Sequence, residues 1–141
     1  MSRANTVILD NEAVQALTDP SHRKHRRLLA TVEAVAAQNL RRAGSVRLLV
    51  PTAVRVEACW DRQAPGSAVI NQLRVGDITL DSTAADLAAR ARAELGVSIA
   101  DSHIAAVLCT EPGPHAVVTS DAEDIRRIAA MVCVLPTIVN V

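Results

Sequence analysis

Four acidic residues stand where an α/β chain can put catalytic groups: Asp10, Glu57, Asp101 and Asp121. Asp10 ends the apolar run Thr6-Val7-Ile8-Leu9. Glu57 lies on the helix that should follow the run Val46 to Val50. Asp101 falls in the first turn of a helix capped by Ser98, and Asp121 follows the run His115 to Thr119. Ligands of an open parallel sheet bind at the carboxyl ends of its strands, so all four acids can share one rim. Two carboxylates about 4 Å apart repel by roughly 4 kcal/mol at an effective dielectric near 20. A hard divalent cation removes that cost, because Mg²⁺ and Mn²⁺ prefer oxygen ligands. Such an ion activates water and stabilises charge on a leaving oxygen, which points to metal-dependent phosphodiester hydrolysis. The plain alternative is that each acid acts locally: Asp10 as a helix cap, Asp101 and Asp121 as early-helix acids that suit the macrodipole, and Glu57 in solvent.

The elements that must position these residues follow from the hydrophobic pattern. Thr6 to Leu9 reads as a buried strand, followed by a short helix from about Asn11 to Leu17 that Thr18-Asp19-Pro20 breaks. Ser21 can cap a second helix whose apolar face carries Leu28, Leu29, Val32, Val35, Ala36 and Leu40, ended by Gly44. Val46 to Val50 is the second strand, and Thr52 reads as the N-cap of the helix bearing Glu57. Pro65-Gly66-Ser67 opens a helix to about Arg74, and Asp77 to Leu80 is a third strand. Asp81 caps a helix from Ser82 to Leu95 that Gly96 stops, and Ser98 caps Ile99 to Cys109. His115 to Thr119 is the fourth strand and Ser120-Asp121 opens a helix to about Ala130. Met131 to Leu135 is expected to be the last strand, with Thr137 to Val141 extending it. Strands alternating with helices predict an α/β fold, a three-layer α/β/α sandwich around a mostly parallel sheet.

The chain has 141 residues, the size of one domain, expected to span 1–141. Half of it is hydrophobic (50%) and charged residues make up 21%, which excludes a disordered chain. Trp60 is the sole aromatic residue, so the core must be aliphatic. No apolar run approaches the roughly 20 residues that cross a bilayer, and Met1 to Asp10 holds no signal-peptide core, so the expected location is the cytoplasm, away from any membrane. Cys59, Cys109 and Cys133 are odd in number, widely spaced and set in apolar stretches, which predicts reduced, buried thiols.

The segments Val7-Ile8-Leu9-Asp10, Pro51-Thr52-Ala53-Val54-Arg55-Val56-Glu57, Ile99-Ala100-Asp101-Ser102-His103-Ile104-Ala105-Ala106 and Val117-Val118-Thr119-Ser120-Asp121-Ala122-Glu123-Asp124-Ile125 resemble the ordered acidic motifs of PIN domains. They are most similar to the VapC-like ribonucleases of bacterial toxin–antitoxin pairs, and the resemblance spans nearly the whole chain. It implies Mg²⁺ or Mn²⁺ held by acids matching Asp10, Glu57, Asp101 and Asp121, with Asp10, Asp101 and Asp121 as direct ligands. Thr119 matches the hydroxyl residue beside the last acid. Asp124, at i+3 from Asp121, shares its face. Asn11-Glu12 departs from the small or hydroxyl residues that many relatives carry after the first acid. Glu12 either adds a fifth acid to the rim or points to solvent. The activity implied is hydrolysis of single-stranded RNA, with one acid accepting the proton of the attacking water. The partners implied are a small antitoxin and a second copy of the chain, as a homodimer. Leu28, Leu29, Val32 and Val35 would offer an antitoxin its apolar groove, unless they are plain core.

Formal charge sums to zero, from 15 basic and 15 acidic residues, which argues against a general nucleic-acid binder. Setting aside the four candidate ligands leaves 15 basic residues against 11 acidic ones. The densest basic run is His22-Arg23-Lys24-His25-Arg26-Arg27, near a helix N-terminus where cations oppose the macrodipole. Arg23, Lys24, Arg26 and Arg27 are therefore read as contacts to RNA phosphates, against the plainer reading of a solvated helix face. Arg41-Arg42 and Arg126-Arg127 are read as solvated, and Arg55 as facing away from Glu57. His22 and His25 lack a third ligand of matching type, and His103 is read as a capping or surface residue. One tryptophan cannot make a stacking platform for bases, so RNA choice must rest on shape, backbone and polar contacts.

A receiver domain would need a lysine near a late strand, and Lys24 precedes the second. A haloacid-dehalogenase-like phosphatase would need Asp-x-Asp where this chain has Asp10-Asn11-Glu12. P-loop, dinucleotide and nucleophile-elbow motifs are absent. The remaining competitor is a PIN-like RNA-binding or protein-binding module with little or no catalytic activity.

Overall fold

The computed structural model describes residues 5–41 and 46–141, with the side chains of 39–41 left aside. Its strands are β1 (Thr6–Leu9), β2 (Arg47–Pro51), β3 (Gly76–Ile78), β4 (His115–Thr119) and β5 (Thr137–Asn140). Its helices are α1 (Asn11–Thr18), α2 (His25–Arg41), α3 (Thr52–Glu57), α4 (Ala68–Gln72), α5 (Ser82–Leu95), α6 (Ile99–Thr110) and α7 (Ala122–Met131), with a 3-10 turn at Pro65–Ser67 running into α4. All pairings are parallel, in the order β3-β2-β1-β4-β5. β1 and β4 are buried along their whole length, as central strands covered on both faces must be, while β3 and β5 are half-exposed edges. Right-handed crossovers put α1–α4 on one face and α5–α7 on the other, giving the three-layer α/β fold. Contacts between α3 and α6 link the two helical layers.

The order reverses between β1 and β4: the chain leaves β1 toward β2 and leaves β4 toward β5. Register pairs Leu9 with Val118, so Asp10 and Thr119 are level as both strands end. This is the topological switch point, where an open α/β sheet holds its ligand. Ile8, Leu9, Val14, Leu17, Ile104, Val117, Ile125 and Ile128 form the fully buried aliphatic centre beneath it. Among the described residues no helix is long and apolar enough to cross a membrane.

Several sequence expectations need correction. The run Met131 to Leu135 is not a strand. Met131 ends α7, Cys133 turns at φ 56°, and Val134 N donates to Ala129 O (3.0 Å), which closes the helix as a Schellman cap. The last strand is the tail segment alone. All three cysteines are exposed. Cys59 and Cys133 occupy left-handed positions just past helix ends, where the side chain is turned outward. Thr52 does not cap α3; its hydroxyl accepts from Leu80 N (3.1 Å) and ties the helix start to the chain after β3. Ser21 does not cap α2 either, because it is drawn into a turn with Asp19, whose carboxylate takes both its N–H and hydroxyl. Leu28 and Val32 are core, and Leu29 and Val35 are half-buried. Gly44 and Arg42, and the side chains of Leu40 and Arg41, lie outside the described residues.

Candidate active site

Asp10 is extended just past β1, and its amide donates to Val118 O (3.1 Å), continuing the ladder for one residue. Its Oδ1 accepts from Ala13 N (2.8 Å), so it caps α1. The local and the functional reading of Asp10 are therefore compatible: one oxygen closes the helix. The residue is only 6% exposed, and burial raises its pKa. The Thr119 hydroxyl and the Ala13 and Ser120 amides oppose that rise, and Glu12 adds to it.

Asp101 is set by α6. The Ser98 hydroxyl accepts from Asp101 N (3.0 Å), as the sequence predicts, and fixes the first turn. Its pKa is pushed up to about 6, first by burial and then by the charges of Asp10, Asp124, Glu57 and Asp121. The four acids whose charges reach Asp101 come from three other chain segments: the residue after β1, the end of α3 and the start of α7. Asp121 caps α7, accepting from Asp124 N (3.1 Å), and its own amide donates to the Thr119 hydroxyl (2.9 Å). Thr119 is fully buried and sits between Asp10 and Asp121. Glu57 is exposed on the last residue of α3. Asp124 pairs with Arg127 Nη1 (3.0 Å).

Glu12 is paired with Lys24, whose Nζ lies 2.8 Å from its Oε1, and its charge adds to the rise at Asp10. Lys24, and after it the Ser120 hydroxyl, hold its pKa below the usual range. Lys24 is thus a counter-charge within the rim. Of the remaining basic run, Arg27 donates to Asn140 O (3.3 Å), while Arg23 and Arg26 are exposed and form no ion pair among the described residues. Arg126 and Arg127 are exposed, as expected, and Arg127 also pairs with Asp124 and donates to Leu95 O (2.9 Å). Arg55 does face away from Glu57, toward Asp77 (2.8 Å). His103 takes the capping alternative and not the surface one: it is fully buried, its Nδ1 accepts from Ala53 N (3.3 Å) in the first turn of α3, and burial lowers its pKa. It joins α6 to the start of α3, the helix that carries Glu57.

Ser120 was not singled out by the sequence reading, though its hydroxyl serves Glu12 and its amide serves Asp10. The signal was present, a hydroxyl residue between Thr119 and Asp121 at a strand end. The Asp124–Arg127 pair was readable from its i,i+3 spacing.

No three His, Cys, Asp or Glu side chains among the described residues form a cage around an ion. Asp10 and Asp121 each have one oxygen turned to a helix amide. The donor set still fits Mg²⁺ or Mn²⁺: it is all carboxylate, and Asp101 carries the cost of unneutralised neighbours. Mg²⁺ commonly binds through one or two carboxylates, waters and substrate phosphate and needs no complete protein cage.

No family model matches this chain, and no curated protein sequence matches it. Among solved structures, a chain in the complex of VapBC2 from Rickettsia felis, bound to a DNA fragment from their promoter, superposes with a TM-score of 0.63 at 13% identity. The match covers 96% of this chain and 98% of that one. The likeness is one of fold, the α/β layering around a five-stranded parallel sheet described above.

Proposed function

We propose that this chain is a Mg²⁺- or Mn²⁺-dependent endoribonuclease acting on single-stranded RNA, the toxin of a toxin–antitoxin pair. The observation that carries the reading is the convergence of Asp10, Glu57, Asp121 and Asp124 on Asp101 at the switch point of the sheet. A divalent cation bound there would neutralise the acids and stabilise charge at the scissile phosphate. Of Asp10, Asp101 and Asp121, one or two would bind it directly and the rest through water, with Glu57 completing the acidic wall. One of these acids would accept the proton of the attacking water. Thr119 keeps Asp10 and Asp121 in register, and Lys24 limits the repulsion from Glu12. Exposed Arg23 and Arg26 would meet the RNA backbone, with Lys24 and Arg27 on the same run tied into the protein.

The likeness to a chain of a VapBC2 complex supports an antitoxin partner and fits a cytoplasmic setting; the homodimer rests on the sequence resemblance alone. The test is cleavage of single-stranded RNA with and without Mn²⁺ by wild type and Asp10→Ala. Metal-dependent cleavage lost in the variant supports the reading. A well-folded wild type that never cleaves favours the binding module.

A further inference from the structure

Glu57 is an acid on the final residue of a six-residue helix, where the macrodipole disfavours it. The turn that follows is a Schellman cap: Trp60 N donates to Arg55 O (2.8 Å) and Cys59 N to Val56 O (3.1 Å). Cys59 makes that turn at φ 55° without the usual glycine. Schellman caps commonly place an apolar contact between the two residues that here are Arg55 and Trp60. This chain instead lays the Arg55 guanidinium over the indole, 5.3 Å from the ring centroid, and Arg62 lies over the same ring at 4.3 Å. Both guanidiniums end on Asp77 of β3, one on each carboxylate oxygen, at 2.8 Å. Arg62 also donates to Val75 O (2.6 Å). Trp60 is buried, yet its Nε1 and the Arg55 Nε have no acceptor among the described residues, an arrangement that selection for stability alone disfavours.

We propose that Asp77, Arg55, Arg62 and Trp60 form a clamp that positions Glu57 in the acidic pocket by fixing the end of α3 to the edge strand. These are positioning residues: none belongs to the acid cluster, and they act through the backbone of residues 55–60. The start of α3 is held against α6, the helix of Asp101, by the Ala53 amide donating to His103 Nδ1 (3.3 Å), and the clamp fixes the other end of the same helix, where Glu57 stands. The inference rests on the nuclease reading, which gives Glu57 its task.

The experiment is Mn²⁺ affinity by calorimetry on the full chain for wild type, Glu57→Gln, Asp77→Asn, their double variant, Trp60→Phe and Trp60→Leu, with circular dichroism to verify folding. Asp77→Asn should weaken binding five- to tenfold, about as much as Glu57→Gln, and should cost nothing more in the Glu57→Gln background. Trp60→Phe keeps a ring beneath the guanidiniums and should bind like wild type, whereas Trp60→Leu should not. A folded Asp77→Asn with wild-type affinity overturns the clamp, as does an equal further loss in the Glu57→Gln background. If Asp77→Asn does not fold, equal affinities for Trp60→Phe and Trp60→Leu overturn it instead. If wild type binds no Mn²⁺, the nuclease reading fails by itself, and amide exchange at Cys59 and Trp60 decides the clamp: faster exchange in Asp77→Asn or Trp60→Leu supports it, unchanged exchange overturns it.

Discussion

After burial, the charge of Asp10 is the largest influence raising the Asp101 carboxyl to about 6. The two residues come from β1 and α6, far apart in the chain, and meet only because the sheet reverses its strand order beside β1. An acid held against its own preference is a reservoir of binding energy for a cation.

That relationship predicts a stability effect. Asp101 binds its proton more tightly folded than unfolded, so its contribution is full below pH 3.8 and lost as pH rises toward 6. The whole shift would be worth about 3 kcal/mol at 1.36 kcal/mol per unit. Solvent screening of a half-exposed carboxyl reduces that to about 1 kcal/mol. Asp101→Asn should therefore stabilise the metal-free protein by about 1 kcal/mol at pH 7 and by almost nothing at pH 3.5, while abolishing cleavage. Urea unfolding at the two pH values checks it.

Asp10 has two tasks that two substitutions separate. Asn keeps an acceptor for Ala13 N, so Asp10→Asn should lose cleavage by about 10²-fold or more with little change in unfolding. Asp10→Ala should lose cleavage equally and also about 1 kcal/mol of stability, from the missing cap. Thermal unfolding beside RNA cleavage distinguishes them.

Arg23 and Arg26 are the free cations of the basic run. Replacing both with Ala should weaken RNA binding and lower the slope of log K against log salt by about 1.4, from two lost phosphate contacts at about 0.7 each on a single strand. Fluorescence anisotropy of a labelled oligoribonucleotide across a salt series measures the slope. An unchanged slope assigns the run to a solvated face.

Cys59 and Cys133 hold left-handed positions with side chains that disfavour them. Cys59→Gly and Cys133→Gly should each stabilise the fold by about 0.5–1 kcal/mol. Gly96→Ala, at φ 67°, should destabilise it by about 1 kcal/mol. Melting temperatures of the three variants provide the check.

The central strands and the acids at their ends were legible in the sequence because each acid also does a local job. Asp10 and Asp121 cap helices, and Ser98 fixes the turn of Asp101, so local signals and site coincide. The last strand was misplaced because an apolar run at a helix C-terminus reads the same whether it continues as a Schellman cap or as a strand. The exposed cysteines were missed for a related reason: hydrophobicity carries no information on a positive φ, and the outward turn at Cys59 and Cys133 is purely backbone. For His103 the sequence leaves capping and surface roles open because its partner, the Ala53 amide, is distant in sequence and is met only through the packing of α6 on α3. Lys24 was assigned to RNA because its pairing with Glu12 depends on how α1 folds back toward α2.

Calorimetric titration of Mn²⁺ into wild type and Asp101→Asn separates a shared cation site from acids that act locally. Wild type should bind, and the variant should lose at least tenfold in affinity, since the neighbouring acids act on Asp101. Equal affinities in the two proteins would contradict the shared site.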